Sequence, residues 1–97
     1  MDFPEVSADS RIRLKSSGVK WRDVSGTIVV MDLQGASYFA VEGSIAAVWP
    51  LLAAGAIIGD LAKIISDEYE APLETVTDDL ISLVRQLLDR GVVESQA

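Results

Sequence analysis

TIVVMDLQGASYFAV, residues Thr27 to Val41, holds two apolar runs on either side of a turn. Ile28-Val29-Val30-Met31 is continuous, apolar and mostly β-branched, which suits a strand in the middle of a sheet. Asp32-Leu33-Gln34-Gly35 interrupts it with turn-forming residues, and Ala36 to Val41 resumes as a strand carrying Tyr38 and Phe39. Upstream, Val19 to Val24 alternates. Val19, Trp21 and Asp23 fall on one face and Lys20, Arg22 and Val24 on the other, the pattern of a half-buried strand. Ser25-Gly26 is the tight turn between that strand and Thr27–Leu33. The order is therefore a meander of three strands, with Arg11 to Leu14 as a short extra strand ahead of it.

After Glu42 the period changes from two to that of a helix. Ser44 is read as an N-cap, with Ile45, Val48, Trp49 and Leu52 at i, i+3, i+4 and i+7. Pro50 lies inside this helix and is expected to kink it or disturb its first turns, and Ala53-Ala54-Gly55 ends it. A second helix carries Ile58, Leu61, Ile64 and Ile65 inward and stops near Tyr69 to Pro72. A third starts at Pro72 or Leu73 and runs to Arg90, with Gly91 as its stop and Val92-Val93 packed back on the core. The expected fold class is α+β, a three-stranded antiparallel sheet followed by three helices. Residues 1–18 form a partly extended or disordered N-terminal segment, and the domain covers 19–94.

Composition limits the function. The 97 residues include 15 acidic and 8 basic side chains, a net charge of −7, and 49% are hydrophobic. One domain is expected. The acidic balance opposes nucleic acid as the main partner, because phosphate binding needs a basic surface. Cysteine and histidine are both absent, which removes disulfides, thiol catalysis, Cys/His metal sites and histidine acid–base chemistry. No catalytic residue, metal or cofactor is expected. The amino terminus does not read as a signal peptide. The uncharged window Gly43–Gly59 spans 17 residues but contains Pro50 and Gly55 and runs into Asp60 and Lys63. It reads as two short helices joined by a glycine turn, not as a membrane span, and the expected location is the cytoplasm.

Two surfaces carry functional information. Ala36–Val41 has no lysine, proline or charge, yet an outer strand of a meander lies at a sheet edge, where natural proteins place such protection. Either the fold covers it, or it is open to a partner strand by β-augmentation. The same edge permits an edge-paired or domain-swapped dimer as well as a monomer. On the third helix, Val76, Leu80, Leu83 and Leu87 make one apolar stripe and Ile81, Val84 and Leu88 a second. Together they are wider than the stripe of about 100° that a helix resting on one sheet needs. Either both sides pack within the domain, or one walls a peptide groove. Other features are blander. Asp78-Asp79 are neighbours in sequence and do not share a helix face, so they read as solvated charge near a helix start. Ser44 has no accompanying base, and Trp21 and Trp49 read as core or half-core aromatics.

An ordered set of motifs resembles the PqqD-like family, the leader-peptide recognition domains of pathways that make ribosomally synthesised, modified peptides. It comprises Ile28-Val29-Val30-Met31-Asp32, Tyr38, Trp49-Pro50-Leu51-Leu52, Ala54-Gly55, Leu61 to Tyr69, Asp79-Leu80 and Gly91-Val92-Val93. It covers Val24 to Val93 without a gap. The chain departs from the family pattern at Glu42, at Gly35-Ala36, at Ile45 and at Pro50. The stand-alone length and the Leu-Leu-Ala-Ala-Gly-Ala run look most like the discrete form found in lasso peptide clusters. The resemblance implies a winged helix-turn-helix-like fold and a leader peptide that adds beside Ala36–Val41 and packs on the third helix. The implied leader-binding residues are Ser37, Tyr38, Phe39, Ala40, Val41, Val76, Asp79, Leu80, Leu83 and Leu87. The implied partners are the precursor leader, a separate leader peptidase of the transglutaminase-like cysteine protease type, and an ATP-dependent cyclase. The alternative for the same order of elements is a winged helix-turn-helix DNA-binding regulator. Glu74, Asp78, Asp79 and Asp89 on its recognition helix would repel phosphate, with only Arg85 and Arg90 to offset them. An acidic carrier protein fits the charge but not the strand-rich first half.

Overall fold

The computed structural model describes residues 6–15 and 17–96. Its strands are β1 (Arg11–Leu14), β2 (Val19–Val24), β3 (Thr27–Asp32), β4 (Ser37–Val41), β5 (Ala56–Ile57) and β6 (Val93–Gln96). Its helices are α1 (Ser44–Ala54), α2 (Ile58–Tyr69) and α3 (Leu73–Asp89).

β2, β3 and β4 form the expected antiparallel meander, with Trp21 and Phe39 opposite Val30 from either side. Ser25 and Gly26 join β2 to β3 with φ of 55° and 90°. Positive φ at both central residues gives the twist that lets two strands continue as a hairpin. The Asp23 carboxylate braces this turn by accepting the Gly26 N–H at 2.9 Å. The turn from β3 to β4 is held by Asp32, whose Oδ1 accepts the N–H groups of Gln34 and Gly35 at 3.2 Å each. Ala36 takes the left-handed conformation there, with φ of 51°. β3 therefore ends at Asp32 and β4 begins at Ser37, each one residue short of the expected span.

A second sheet has the order β5-β1-β6. β1 comes from the N-terminal segment 1–18 and is the middle strand, paired with β6 from Arg11↔Gln96 to Leu14↔Val93. Val93, expected as a packed extension, is the first residue of β6. Ile12 is fully buried between the two flanking strands and the helices.

The helix ends show why each stops. Gly43, with φ of 73°, is the N-cap of α1, and no side chain caps that end. Ser44 is thus the first helical residue and not the N-cap expected of it. The glycine takes the positive φ that serine would resist, and its carbonyl accepts the Ala46 N–H at 3.1 Å. The helix continues through Pro50 to Ala54, although the ring nitrogen has no hydrogen to give the Ala46 carbonyl. α2 ends on Glu70, a left-handed residue with φ 51° and ψ 40°. α3 ends in a Schellman pair: Gly91 N–H donates to Leu88 and Val92 N–H to Leu87, both at 3.0 Å. Gly91 sits at φ 74°, and α3 stops one residue before the expected Arg90.

One core joins both sheets and all three helices. Trp49, Leu52, Ile58, Leu61, Leu80 and Val84 are buried in it with Ile28 and Val30 of β3. Trp21 is half-buried at its margin. Among the described residues no helix is long and apolar enough to cross a membrane.

Candidate functional site

β4 has no strand beyond it among the described residues, so one side of its main chain is free. The register identifies which groups are on that side. In an antiparallel ladder, hydrogen-bonded and non-bonded pairs alternate. Val24 and Thr27 close a two-residue hairpin, and further along the Leu33 N–H donates to the Gly18 carbonyl at 2.7 Å. Both positions set the same phase: Thr27, Val29 and Met31 bond toward β2, while Ile28, Val30 and Asp32 face β4. Their partners Val41, Phe39 and Ser37 are thereby committed to the sheet. Tyr38 and Ala40 are left with N–H and C=O directed to the open edge.

Side chains on β4 follow the same alternation. Phe39 and Val41 turn inward, Phe39 half-buried and Val41 buried. Tyr38 points away from the core and is 78% exposed, and Ala40 shares its face. Ser37 is exposed at the strand's start.

Between β4 and α3 runs a groove of about 360 Å³, lined by Phe39, Ala40, Val41, Glu42, Ile45, Leu83, Gln86, Leu87 and Arg90. From α3 come Leu83, Gln86 and Leu87, and from its C-cap Arg90, at i, i+3, i+4 and i+7 and hence on one face. The Arg90 guanidinium lies over the Phe39 ring, 4.9 Å from its centroid, and ties the end of α3 to β4. The groove therefore has an apolar floor, a carboxylate at Glu42 and a cation at Arg90.

Of the residues expected from sequence, Phe39, Ala40, Val41, Leu83 and Leu87 are brought together here, with Tyr38 on the outer side of the same strand. Val76 and Leu80 lie elsewhere: both are buried in the core on the side of α3 that also carries Val84 and Leu87. Asp79 is exposed and does not line the groove. The two apolar stripes of α3 divide differently from their sequence grouping. Val76, Leu80, Val84 and Leu87 form the buried ridge, with Leu83 on one flank and Ile81 and Leu88 half-buried against the core. Glu42, Ile45, Gln86 and Arg90 were not anticipated as lining residues. Stepping three and seven places on from Leu83 finds Gln86 on α3 and Arg90 just past its end.

In this small α+β domain a free strand edge lies beside a helix wall, the arrangement that strand addition by an extended peptide requires. The family model of coenzyme PQQ synthesis protein D (PqqD) matches residues 27–93, and this chain belongs to that family. Solved structures share its fold along almost their whole length. TbiB1 in complex with the TbiA(β) leader peptide is 26% identical with a TM-score of 0.78, over 88% of this chain and 98% of that one. Lasso peptide synthetase B1 complexed with the leader peptide is 22% identical with a TM-score of 0.75, over 86% and 96%. The PqqD truncation of Methylobacterium extorquens PqqCD is described as a functional, stand-alone recognition element for ribosomally synthesised and post-translationally modified peptides. It is 21% identical with a TM-score of 0.76, over 93% and 95%. No curated protein matches the chain.

Proposed function

We propose that this protein binds the leader region of a ribosomally synthesised precursor peptide, of the lasso type, and performs no chemistry of its own. The leader adds as a strand along β4, bonding to the outward main-chain groups of Tyr38 and Ala40, and rests its side chains in the groove against α3. Bound in this way, the precursor is delivered in the cytoplasm to a separate leader peptidase of the transglutaminase-like cysteine protease type, and then to an ATP-dependent cyclase. The observation that carries the reading is the coincidence of an uncharged strand edge, which no described residue pairs, with an apolar groove beside it. Membership of the PqqD family and likeness to TbiB1, solved with a leader peptide, support it.

Main-chain bonds along Tyr38 and Ala40 supply affinity that is indifferent to sequence, and the groove supplies selectivity through the leader's alternate side chains. Of the expected site residues, Leu83 and Leu87 do this from α3, while Val76 and Leu80 hold the helix in place from below. Asp79 would act only as a rim charge, tuning association rate more than affinity. Pairing of two copies through β4 would compete with the leader for the same edge.

The test is titration of the protein with a synthetic leader of the precursor encoded nearest to it, followed by calorimetry or fluorescence anisotropy. Micromolar or tighter binding is expected, lost in Leu83→Asp, which puts a carboxylate into the groove. Failure to bind the leader, together with salt-sensitive binding to duplex DNA, would reject the reading in favour of a DNA-binding regulator.

A further inference from the structure

The protein's charge is divided unevenly. Residues 11–22 hold Arg11, Arg13, Lys15, Lys20 and Arg22, five of the eight basic residues, and no acidic one. The rest of the chain holds 3 basic and all 15 acidic residues, so a segment of +5 sits in a body of −12. The fold concentrates part of it further. The lining of a cleft of about 480 Å³ between β1, β2 and the end of α1 includes Arg13, Lys15, Lys20, Trp21, Ala53 and Ala54. It lies at the β2 edge of the meander, across the sheet from the β4 edge.

Two ordinary explanations account for only part of this. Charged residues on β2 shield an edge strand from unwanted pairing, which covers Lys20 and Arg22. β1 is the middle strand of its sheet: Arg13 pairs with Glu94 on β6, while β5 pairs only with Arg11 and Ile12. Lys15 lies just past the end of β1, so edge protection does not account for it. Internal ion pairing explains Arg13 alone, whose Nε donates to Glu94 at 3.2 Å across the β1–β6 pair. Among the described residues Lys15 and Lys20 have no such partner. Lys15 is nonetheless firmly placed, because its main-chain N–H donates to the Val92 carbonyl at 2.9 Å. Alongside this basic lining, the half-buried Trp21 and the small Ala53 and Ala54 leave apolar surface that a side chain can cover.

We infer that this cleft is a second docking surface, which takes an acidic segment of a partner polypeptide bearing an apolar side chain for Trp21. Charge complementarity selects the class of partner. A carboxylate-bearing segment short enough to touch only the cleft meets Arg13, Lys15 and Lys20 without approaching the acidic helical half. A nucleic-acid backbone extends past the patch and is repelled by the −12 around it. The inference stands apart from leader binding: it uses other residues on another edge, and one polypeptide can occupy β4 while a second occupies the cleft.

The experiment uses a fluorescein-labelled octapeptide of alternating glutamate and leucine, its glutamine-leucine counterpart and a 12-base-pair DNA duplex, each titrated by anisotropy at low and at moderate salt. The wild-type protein is expected to bind the glutamate peptide, more weakly as salt rises. Reversing both lysines (Lys15→Glu with Lys20→Glu) is expected to weaken it by about tenfold or more, since two attractions become repulsions. Lys63→Glu on α2 has the same kind of charge change away from the cleft and is expected to stay within about twofold, the scale of a weak surface charge effect. Both lysines are exposed, and an unchanged melting curve confirms the fold. Equal binding of the glutamine peptide, equal or tighter binding of the duplex, no binding of the glutamate peptide, or equal effects of the lysine pair and Lys63→Glu would each overturn the inference. Titration of the double variant with the leader separates the two sites. Unchanged leader affinity is expected, and its loss in a folded variant would show one continuous surface in place of two.

Discussion

Proline at position 40 separates binding from folding more cleanly than any groove substitution. Ala40 sits opposite Val29 in a non-bonded pair, so its N–H faces the open edge and contributes nothing to the β3–β4 ladder. Proline removes that N–H and is tolerated in edge strands whose donor faces outward. The preceding residue, Phe39, is already extended, as a residue before proline must be. The side chain is exposed, so the ring displaces no core atom. The fold should lose less than about 1 kcal/mol. A leader strand loses one main-chain hydrogen bond, worth about 1 kcal/mol. It also meets the pyrrolidine ring where it must approach to about 4.8 Å. The combined loss is about 1.5 to 3 kcal/mol, or about ten- to a hundredfold in Kd. The assay is calorimetric titration of Ala40→Pro with the leader, beside its denaturant midpoint. Phe39→Pro is the control, because its N–H serves the ladder to Val30, and it should lower the midpoint far more. Wild-type leader affinity in Ala40→Pro would refute strand addition at β4. A large stability loss in Ala40→Pro would refute the phase assigned to the ladder.

Two predictions concern stability. Glu70 holds φ 51° at the end of α2, where an L-residue is strained and a carboxylate opposes the helix dipole. Glu70→Gly should therefore stabilise by about 0.5 to 1 kcal/mol despite glycine's larger unfolded-state entropy. A lower denaturant midpoint would show that the left-handed turn is not where the strain lies. Leu87 is 2% exposed and Leu83 half-buried on neighbouring faces of α3. Leu87→Ala should cost about 2 to 4 kcal/mol of stability. Leu83→Ala should cost clearly less while weakening the leader more per unit of stability lost, and equal ratios in the two variants would contradict the division between floor and wall.

Much of the architecture is local and was legible before the fold. The alternation in Val19–Val24, the apolar run Ile28–Met31 and the turn at Ser25-Gly26 report a meander because strand period and positive-φ turns are properties of neighbouring residues. The stop at Gly91 was legible for the same reason, since the Schellman pair closes within five residues. The unprotected character of Ser37–Val41 followed from composition alone. The N-cap of α1 was misplaced by one residue, because serine's preference for caps is a tendency, while the φ of 73° at Gly43 is imposed by the path from β4 into the helix.

The chain's own order of residues thus determined the elements, the apolar set and the divided charge. Only the tertiary structure decided how they meet. The second sheet joins Arg13 to Glu94 across 81 positions, and a two-residue strand such as β5 has no period to read, so its pairing exists only where β1 is already placed. α3 is apolar on several sides. Which side faces β4 depends on where α2 and the core claim Val76, Leu80 and Val84; Leu87 is shared between the core and the groove floor, and what is left is the wall of Leu83, Gln86 and Arg90. Side-chain burial is won in competition among all packed elements at once, so periodicity can mark a helix as apolar without saying which of its neighbours receives each face.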